Sequence, residues 1–205
     1  MRLGAVFYNQ FELLDAYGPL EMFGCLGEEV EIISIAQHSG KVASSAGPNA
    51  WAEFSFDDAP DLDLLLLPGG IGTIPELQNP SMITFLKDRC PATQITMSVC
   101  SGSALLAKAG LLDGLRATSN KMFFNLATSQ SDAVQWVPEA RWVDAGQYVT
   151  SSGVSAGTDM AVAVIQRLFG QETATRVTEF TEYQWHQDAD QDPFAALLNQ
   201  GQLPA

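Results

Sequence analysis

A cysteine at a predicted strand–helix junction is the residue of this chain best suited to covalent chemistry. Cys100 lies in the stretch "TMSVCSGSALLAKAG", which runs from Thr96 to Gly110. The apolar residues before it predict a short buried strand, and the small residues after it predict the first turn of a helix. Ligands bind open parallel sheets where strands end and helices begin. We therefore predict a nucleophile elbow, a sharp turn that holds the Cys100 sulfur above the carboxyl edge of a sheet.

The backbone around this elbow is expected to favour negative charge. A helix N-terminus presents unpaired N–H groups and a partial positive charge, so we predict that the pKa of the Cys100 thiol lies below its ordinary value. The Ser101 N–H follows the sulfur directly. The preceding strand ends in "PGG", which predicts a second backbone donor at Gly70 or Ile71. Together these N–H groups would form an oxyanion-hole-type site.

The remaining cysteines and the histidines argue against other site types. Cys25 and Cys90 are interpreted as packing residues, the usual fate of a free cysteine. Three cysteines form a poor disulfide framework and indicate a reducing compartment. No CxxC pair occurs and the chain has only two histidines, so the spacing of zinc ligands is absent and no metal is expected.

The overall charge limits the partners of the protein. The formal net charge of the 205 residues is −14. A chain of this charge repels phosphate backbones and anionic membranes, so neither nucleic acid nor a membrane is expected as a partner. The N-terminal "MRLGAVFY" is too short for a secretory signal, and the apolar runs are shorter than a membrane span. We expect a cytoplasmic protein that acts on a small molecule.

Strand-like and helix-like segments alternate along the chain. "RLGAVFY", "VEIISIA", "DLDLLLL" and "TQITMSV" are strand-like, and the Leu run predicts a strand buried on both faces. Helical patterns fall between them, one of which has Pro19 in its predicted first turn and another Ser155 as its predicted N-cap. This alternation predicts an α/β fold, a doubly wound three-layer sandwich with a mostly parallel central sheet. We expect one domain over residues 1–205, with a core of about 2–185 and a polar tail over 186–205.

Four stretches resemble a known family: "LLDAYGPLEMF" (13–23), "LLLPGGIGT" (65–73), "SVCSGSALLAKAGLLDGLRAT" (98–118) and "SGVSAGTDMAVAV" (152–164). The chain resembles the ThiJ/PfpI superfamily, within the class I glutamine amidotransferase-like, flavodoxin-like fold. The resemblance covers most of residues 2–185. The first and third stretches are most similar to the isonitrile hydratase branch.

The resemblance implies a reaction and the residues for it. Cys100 would be the nucleophile, and Asp15 the acidic residue beside its sulfur. Members of the branch add water to an isocyanide, R–N≡C, to give an N-substituted formamide, and they form homodimers without a cofactor. The pattern alone favours Asp15 as an N-cap of the first helix, and it is the resemblance that assigns it to the sulfur. Thr118 and Asn120 are candidate pocket residues.

The chain departs from the family pattern at two histidine positions. Ser101 stands where protease-like members have a histidine, and Asn120 stands where many hydratase-like members have one. A Cys–His dyad is therefore unsupported. Two alternatives remain open: a glyoxalase or deglycase acting on α-oxoaldehydes through the same cysteine, and a non-enzymatic redox or ligand sensor, as in the related domains of AraC-type regulators.

Overall fold

The structure, a computed structural model, describes residues 1–201. Of the predicted polar tail, residues 202–205 lie outside the described residues. No helix within the described part of the chain is long and apolar enough to span a membrane.

The elements follow one another in an α/β order. The strands are β1 (Arg2–Val6), β2 (Glu31–Ala36), β3 (Gly40–Ala43), β4 (Asn49–Ala52), β5 (Phe54–Ser55), β6 (Leu64–Leu67), β7 (Ile95–Ser98), β8 (Arg116–Ala117), β9 (Gln135–Trp136), β10 (Trp142–Asp144) and β11 (Tyr148–Ser151). The α-helices are α1 (Leu13–Gly24), α2 (Thr73–Glu76), α3 (Pro80–Arg89), α4 (Gly102–Lys108), α5 (Phe124–Thr128), α6 (Ser155–Phe169) and α7 (Gln171–Phe180).

Seven strands form the central sheet in the order β10-β11-β7-β6-β1-β2-β5. All of its pairs are parallel except the β10–β11 hairpin at one edge. From β1 the chain adds β2 on one side of the sheet, and it then returns to add β6 and β7 on the other side. The loops that follow these central parallel strands therefore meet at the carboxyl edge of the sheet. The predicted mostly parallel sheet is confirmed.

Helices cover both faces of the sheet, which gives three layers. The Leu run of β6 shows this directly, because Leu65 and Leu67 pack with α3 and α4 on one face. Leu64 and Leu66 pack with α1, α6 and α7 on the other. Successive strand residues point to opposite faces, so a strand covered on both sides is apolar at every position. All four leucines are fully buried.

Two helix starts differ from the sequence prediction. α1 begins at Leu13, so Pro19 lies inside the helix rather than in its first turn. A proline in that place cannot donate to the carbonyl of Asp15, four residues earlier. α6 has Val154, not Ser155, at its N-cap position, and Val154 adopts φ 46° in the left-handed region. Asp15 is likewise no N-cap, because it lies within α1.

Candidate active site

Cys100 occupies the turn between β7 and α4, as the sequence predicts. Its φ is 57°, in the left-handed region that residues other than glycine rarely adopt. The surrounding backbone holds this strained turn: the Cys100 N–H donates to the carbonyl oxygens of Ser151 and Ser152 at 3.2 and 3.1 Å. The Cys100 carbonyl accepts from the hydroxyls of Ser103 and Ser119 at 3.2 and 3.0 Å. The elbow is therefore fixed from both sides.

The small residues around the elbow are required by close backbone approach. A Cβ on Gly69 would lie 2.5 Å from the Ser101 nitrogen and 2.9 Å from the Cys100 Cβ. A Cβ on Gly102 would lie 2.5 Å from the Leu67 carbonyl oxygen. Any larger side chain at either position would push β6 away from the elbow. These glycines therefore set the distance between the two strand ends.

Asp15 faces the Cys100 sulfur from α1 and is completely buried. One carboxyl oxygen accepts from the Gly69 N–H at 2.9 Å, and the other accepts from the Val154 N–H at 3.2 Å. Burial raises the pKa of Asp15 to about 7, against the opposing effect of the Gly69 hydrogen bond. A carboxyl group with such a pKa can both give and take a proton near neutrality.

The pKa of Cys100 is shifted in the opposite direction to the sequence prediction. Burial, and then the charge on Asp15, raise the pKa of the thiol well above its ordinary value. Hydrogen bonds from the Ser101 N–H, the Asn120 amide and the Ser101 hydroxyl act the other way but are outweighed. Two buried acids in contact resist the loss of both protons, so above neutrality the pair keeps a single proton, and that proton lies mainly on the sulfur of Cys100.

Asn120 contacts the sulfur directly. Its Nδ2 donates to Cys100 Sγ at 3.2 Å, while its Oδ1 accepts from the Phe123 N–H at 3.1 Å. The second bond fixes the orientation of the amide so that its donor points to the sulfur. Neither histidine takes part: the hydrogen bond of His186 runs from its backbone N–H to Asp159, and His38 lies near Phe56.

Of the two N–H groups predicted to stabilise negative charge after β6, one is already hydrogen-bonded within the protein. The Gly70 N–H, predicted to face a substrate, instead donates to Ser101 Oγ at 3.1 Å. That hydroxyl is also 2.9 Å from Thr73 Oγ1. The Ile71 N–H, by contrast, makes no hydrogen bond within residues 1–201. Of the two candidates after β6, only Ile71 keeps its donor available.

Thr118 was predicted to line the pocket, but the structure buries it elsewhere. Its hydroxyl donates to the Val137 carbonyl at 2.8 Å and accepts from Lys121 Nζ at 2.8 Å. Its N–H donates to Thr150 Oγ1 at 2.9 Å. With its polar groups occupied in this way, Thr118 supports the strand that leads to Asn120 and does not face Cys100.

Comparisons with known proteins identify the scaffold on which this site is built. The model of the DJ-1/PfpI family matches residues 3–167. The chain belongs to the DJ-1/PfpI family. A crystal structure of a ThiJ/PfpI family protein from Pseudomonas syringae superimposes with a TM-score of 0.80 at 32% identity, and the match covers 94% of this chain and 76% of that one. The family predicted from the sequence is confirmed.

Relatives within the DJ-1/PfpI family have different roles. The isonitrile hydratase of Pseudomonas putida is 30% identical over 184 residues, which cover 89% of this chain and 78% of that protein. The HTH-type transcriptional regulator GbdR of Pseudomonas aeruginosa is 28% identical over 200 residues, which cover 95% of this chain and 54% of the regulator. The family thus includes an enzyme and a regulator on one scaffold, and the chemistry has to be argued from the site.

Proposed function

We propose that the protein is a cysteine-dependent isonitrile hydratase, with Cys100 as nucleophile and Asp15 as general acid and base. The observation that carries the proposal is the contact between a buried thiol and a buried carboxyl group whose pKa is about 7. No histidine contacts the sulfur in the part of the chain that the structure describes. Asp15 is therefore the group beside the sulfur that can transfer protons. Isocyanide hydration fits this arrangement, because one carboxyl group can carry out each of its proton transfers.

The first half of the reaction starts when the proton of the Cys100 thiol moves to the Asp15 carboxylate, which gives the minor form of the pair with Asp15 protonated and Cys100 as thiolate. The thiolate forms a bond to the terminal carbon of R–N≡C, and Asp15 gives its proton to the same carbon. The product is a thioimidate, R–N=CH–S–Cys, and Asp15 is left as a carboxylate. Its charge is then stabilised by the N–H groups of Gly69 and Val154.

The second half returns the pair to its starting form. The Asp15 carboxylate takes a proton from water as the oxygen bonds to the thioimidate carbon, and it passes that proton to the nitrogen. The carbon–sulfur bond then breaks, the hydroxyl proton moves to Asp15, and R–NH–CHO leaves. Sulfur departs as the thiolate, which accepts from Asn120 Nδ2. Each cycle consumes one water and one isocyanide, and needs no cofactor.

Backbone N–H groups would stabilise the negative charge that develops on the substrate. We assign this role to the N–H groups of Ser101 and Ile71, because Gly70 donates to Ser101 Oγ.

We further propose that the protein works in the cytoplasm as a homodimer. Sedimentation equilibrium tests the dimer, with a mass of two chains expected and a mass of one chain contradicting it.

A direct assay tests the proposed reaction. Purified protein is incubated with an aromatic isocyanide beside Cys100→Ala, and formamide is followed by absorbance and chromatography. We expect formamide from the wild type only. Loss of methylglyoxal without any turnover of isocyanide would instead assign a deglycase-type activity. A reduced, alkylatable Cys100 that turns over neither compound would favour a sensor.

A further inference from the structure

The C-terminal segment, residues 183–201, packs back against α6, the chain before β10 and the loop that follows Asn120. Its first part binds Asp159 of α6: the Tyr183 hydroxyl and the His186 N–H donate to Asp159 Oδ1, each at 2.9 Å. Its middle pairs with the chain before β10, where the Arg141 N–H donates to the Ala189 carbonyl at 2.7 Å. The segment is therefore held by specific bonds along its length.

The last part of the C-terminal segment binds the residues next to Asn120. The Asn199 N–H donates to the Lys121 carbonyl at 2.8 Å, and the Gly201 N–H donates to the Met122 carbonyl at 3.0 Å. Asn199 Oδ1 also accepts from the Asn125 N–H at 2.8 Å. Asn199 has φ 58°, a conformation that asparagine tolerates better than most residues. These bonds fix the loop that carries Asn120.

A buried cluster of four charges joins the segment to the rest of the protein. Lys121, Arg141, Asp159 and Asp192 are all buried. Arg141 Nε donates to Asp159 Oδ2 at 2.7 Å, and its Nη1 lies 3.7 Å from Asp192 Oδ1. Lys121 Nζ lies 3.9 Å from Asp192 Oδ2, an oxygen without a hydrogen-bond partner in residues 1–201. Asp192 thus balances two cations from the body of the protein.

Two cations of the cluster, Lys121 and Arg141, link it to the two members of the catalytic pair, Cys100 and Asp15. Lys121 follows Asn120, whose amide donates to Cys100 Sγ. The link to Asp15 runs through Arg141, whose carbonyl accepts from the Ser152 N–H at 2.8 Å and whose Nη2 donates to Ser155 Oγ at 3.3 Å. These two bonds flank Val154, whose N–H donates to Asp15.

We propose that the C-terminal segment is a working part of the active site, with Asp192 as a positioning residue that keeps the Asn120 amide on the sulfur and the Val154 N–H on Asp15. Without the charge of Asp192, Arg141 keeps Asp159 as its counterion, whereas Lys121 loses its nearest carboxylate and keeps the more weakly acting Glu139. The two loops that carry Asn120 and Val154 then lose their common anchor. The inference concerns the state of the thiol and adds to the proposed function a requirement for a distant ion pair.

The test measures Cys100 without relying on turnover. The full chain is treated with iodoacetamide for a fixed time from pH 5 to 10, and peptide mass spectrometry, which separates Cys100 from the other cysteines, gives the pH at which half of Cys100 is alkylated. Below the pKa of the thiol the rate follows the thiolate fraction, so this midpoint moves with that pKa. Asp192→Asn keeps the size of the side chain and its Oδ1 acceptor but removes the charge. Asp190→Asn is the matched control, since it removes one charge from an exposed position of the same segment.

We expect Asp192→Asn to raise the pH at half-maximal alkylation of Cys100 by at least half a unit, because the amide of Asn120, which stabilises the Cys100 thiolate, is no longer held on the sulfur. At neutral pH the rate then falls at least threefold, and Asp190→Asn matches the wild type. A purely structural loss would lower the amount of reactive protein without moving the midpoint. A folded Asp192→Asn with the wild-type midpoint overturns the proposal.

A second variant covers the case in which Asp192→Asn does not fold. A Cβ on Gly201 would lie 2.7 Å from the Phe123 ring, so Gly201→Ala lifts the end of the segment and leaves the charges intact. The midpoint should rise in that variant too, and an unchanged midpoint overturns the proposal. Alkylation needs no substrate. A wild type without activity on isocyanides would therefore refute isonitrile hydration, while the alkylation midpoints would still test the role of Asp192.

Discussion

Cys90 and Cys100 lie at opposite ends of strand β7 and share almost everything except their polar neighbours. Cys90 is in the turn between α3 and β7, and Cys100 is in the turn between β7 and α4. Both are buried, and burial raises the pKa of both thiols, that of Cys90 to about 12. Cys90 packs in the apolar core with the Thr96 hydroxyl near its sulfur, whereas Cys100 meets Asp15, Asn120 and Ser101.

The difference shows what a buried cysteine needs for chemistry. Burial alone produces a protonated, inert thiol. At Cys100 the same burial acts on a carboxyl group as well, so a proton can pass between two acids. The neighbouring amide and backbone donors then stabilise the anion left on sulfur. The proposed reactivity of Cys100 therefore rests on the partners of its sulfur rather than on its exposure.

The largest expected effect comes from replacing the two cysteines in turn. Cys100→Ala should lower kcat for an isocyanide by about 10⁴-fold or more, because the covalent step is lost. Cys90→Ala should leave kcat within twofold and cost about 1 kcal/mol of unfolding free energy through the small cavity. Steady-state kinetics and urea unfolding measure the two effects. A Cys90→Ala enzyme as inactive as Cys100→Ala would remove the distinction between the cysteines.

Replacing the acid and base should have the next largest effect. Asp15→Asn keeps the shape of the side chain but cannot transfer a proton, so kcat should fall by about 10²–10⁴-fold. The matched control is Glu21→Gln, which neutralises an exposed carboxylate on the same helix away from Asp15 and the sulfur, and it should stay within a few-fold of wild type. Rates of Asp15→Asn close to wild type would refute the role of Asp15.

The pH dependence of stability tests the environment of Asp15 independently of activity. Because the folded pKa is about 7 and the unfolded value is near 3.8, the folded state binds more protons between these pH values. This contribution to stability is full below about pH 4 and is lost as the pH rises to 7. From pH 5 to 8 the wild type should lose about 2–3 kcal/mol relative to Asp15→Asn. Urea unfolding at both pH values measures it, and an equal change in both proteins contradicts it.

The smallest effect is expected at Asn120. Asn120→Ala removes one donor to the sulfur anion, worth about 1.5–3 kcal/mol for a charged acceptor, so kcat should fall roughly 10- to 100-fold. The alkylation midpoint of Cys100 should rise by about one to two units. Asn125→Ala, a change of the same kind in the next helix, should do neither. A wild-type midpoint in Asn120→Ala would mean that the amide does not stabilise the thiolate.

The elbow and the sheet could be predicted because their signals are local. An apolar run, a cysteine and a series of small residues specify the turn at Cys100, and the Leu run of β6 specifies a strand covered on both faces. The pKa of Cys100 could not be predicted from the same residues. Its direction depends on burial and on the charge of Asp15, which lies 85 positions earlier in the chain and which the pattern alone favours as an N-cap.

The contacts of the loops and of the chain end were beyond the sequence. The Gly70 N–H donates to Ser101 Oγ through a rotamer that spacing does not reveal. The residues after 185 were predicted only as a polar tail, yet Asp192 is buried against Lys121 and Arg141. Charged residues are rarely buried unless paired, and the partners here lie 71 and 51 positions away.

The central claim, a covalent intermediate on Cys100 that Asp15 forms and hydrolyses, is tested most directly by rapid-quench mass spectrometry during turnover of an aromatic isocyanide. The account predicts a transient gain of the whole mass of the isocyanide on the Cys100 peptide, which forms before formamide and decays as formamide is released. It also predicts no gain on the Cys90 peptide. Formamide production at full rate with no adduct on Cys100 would contradict it.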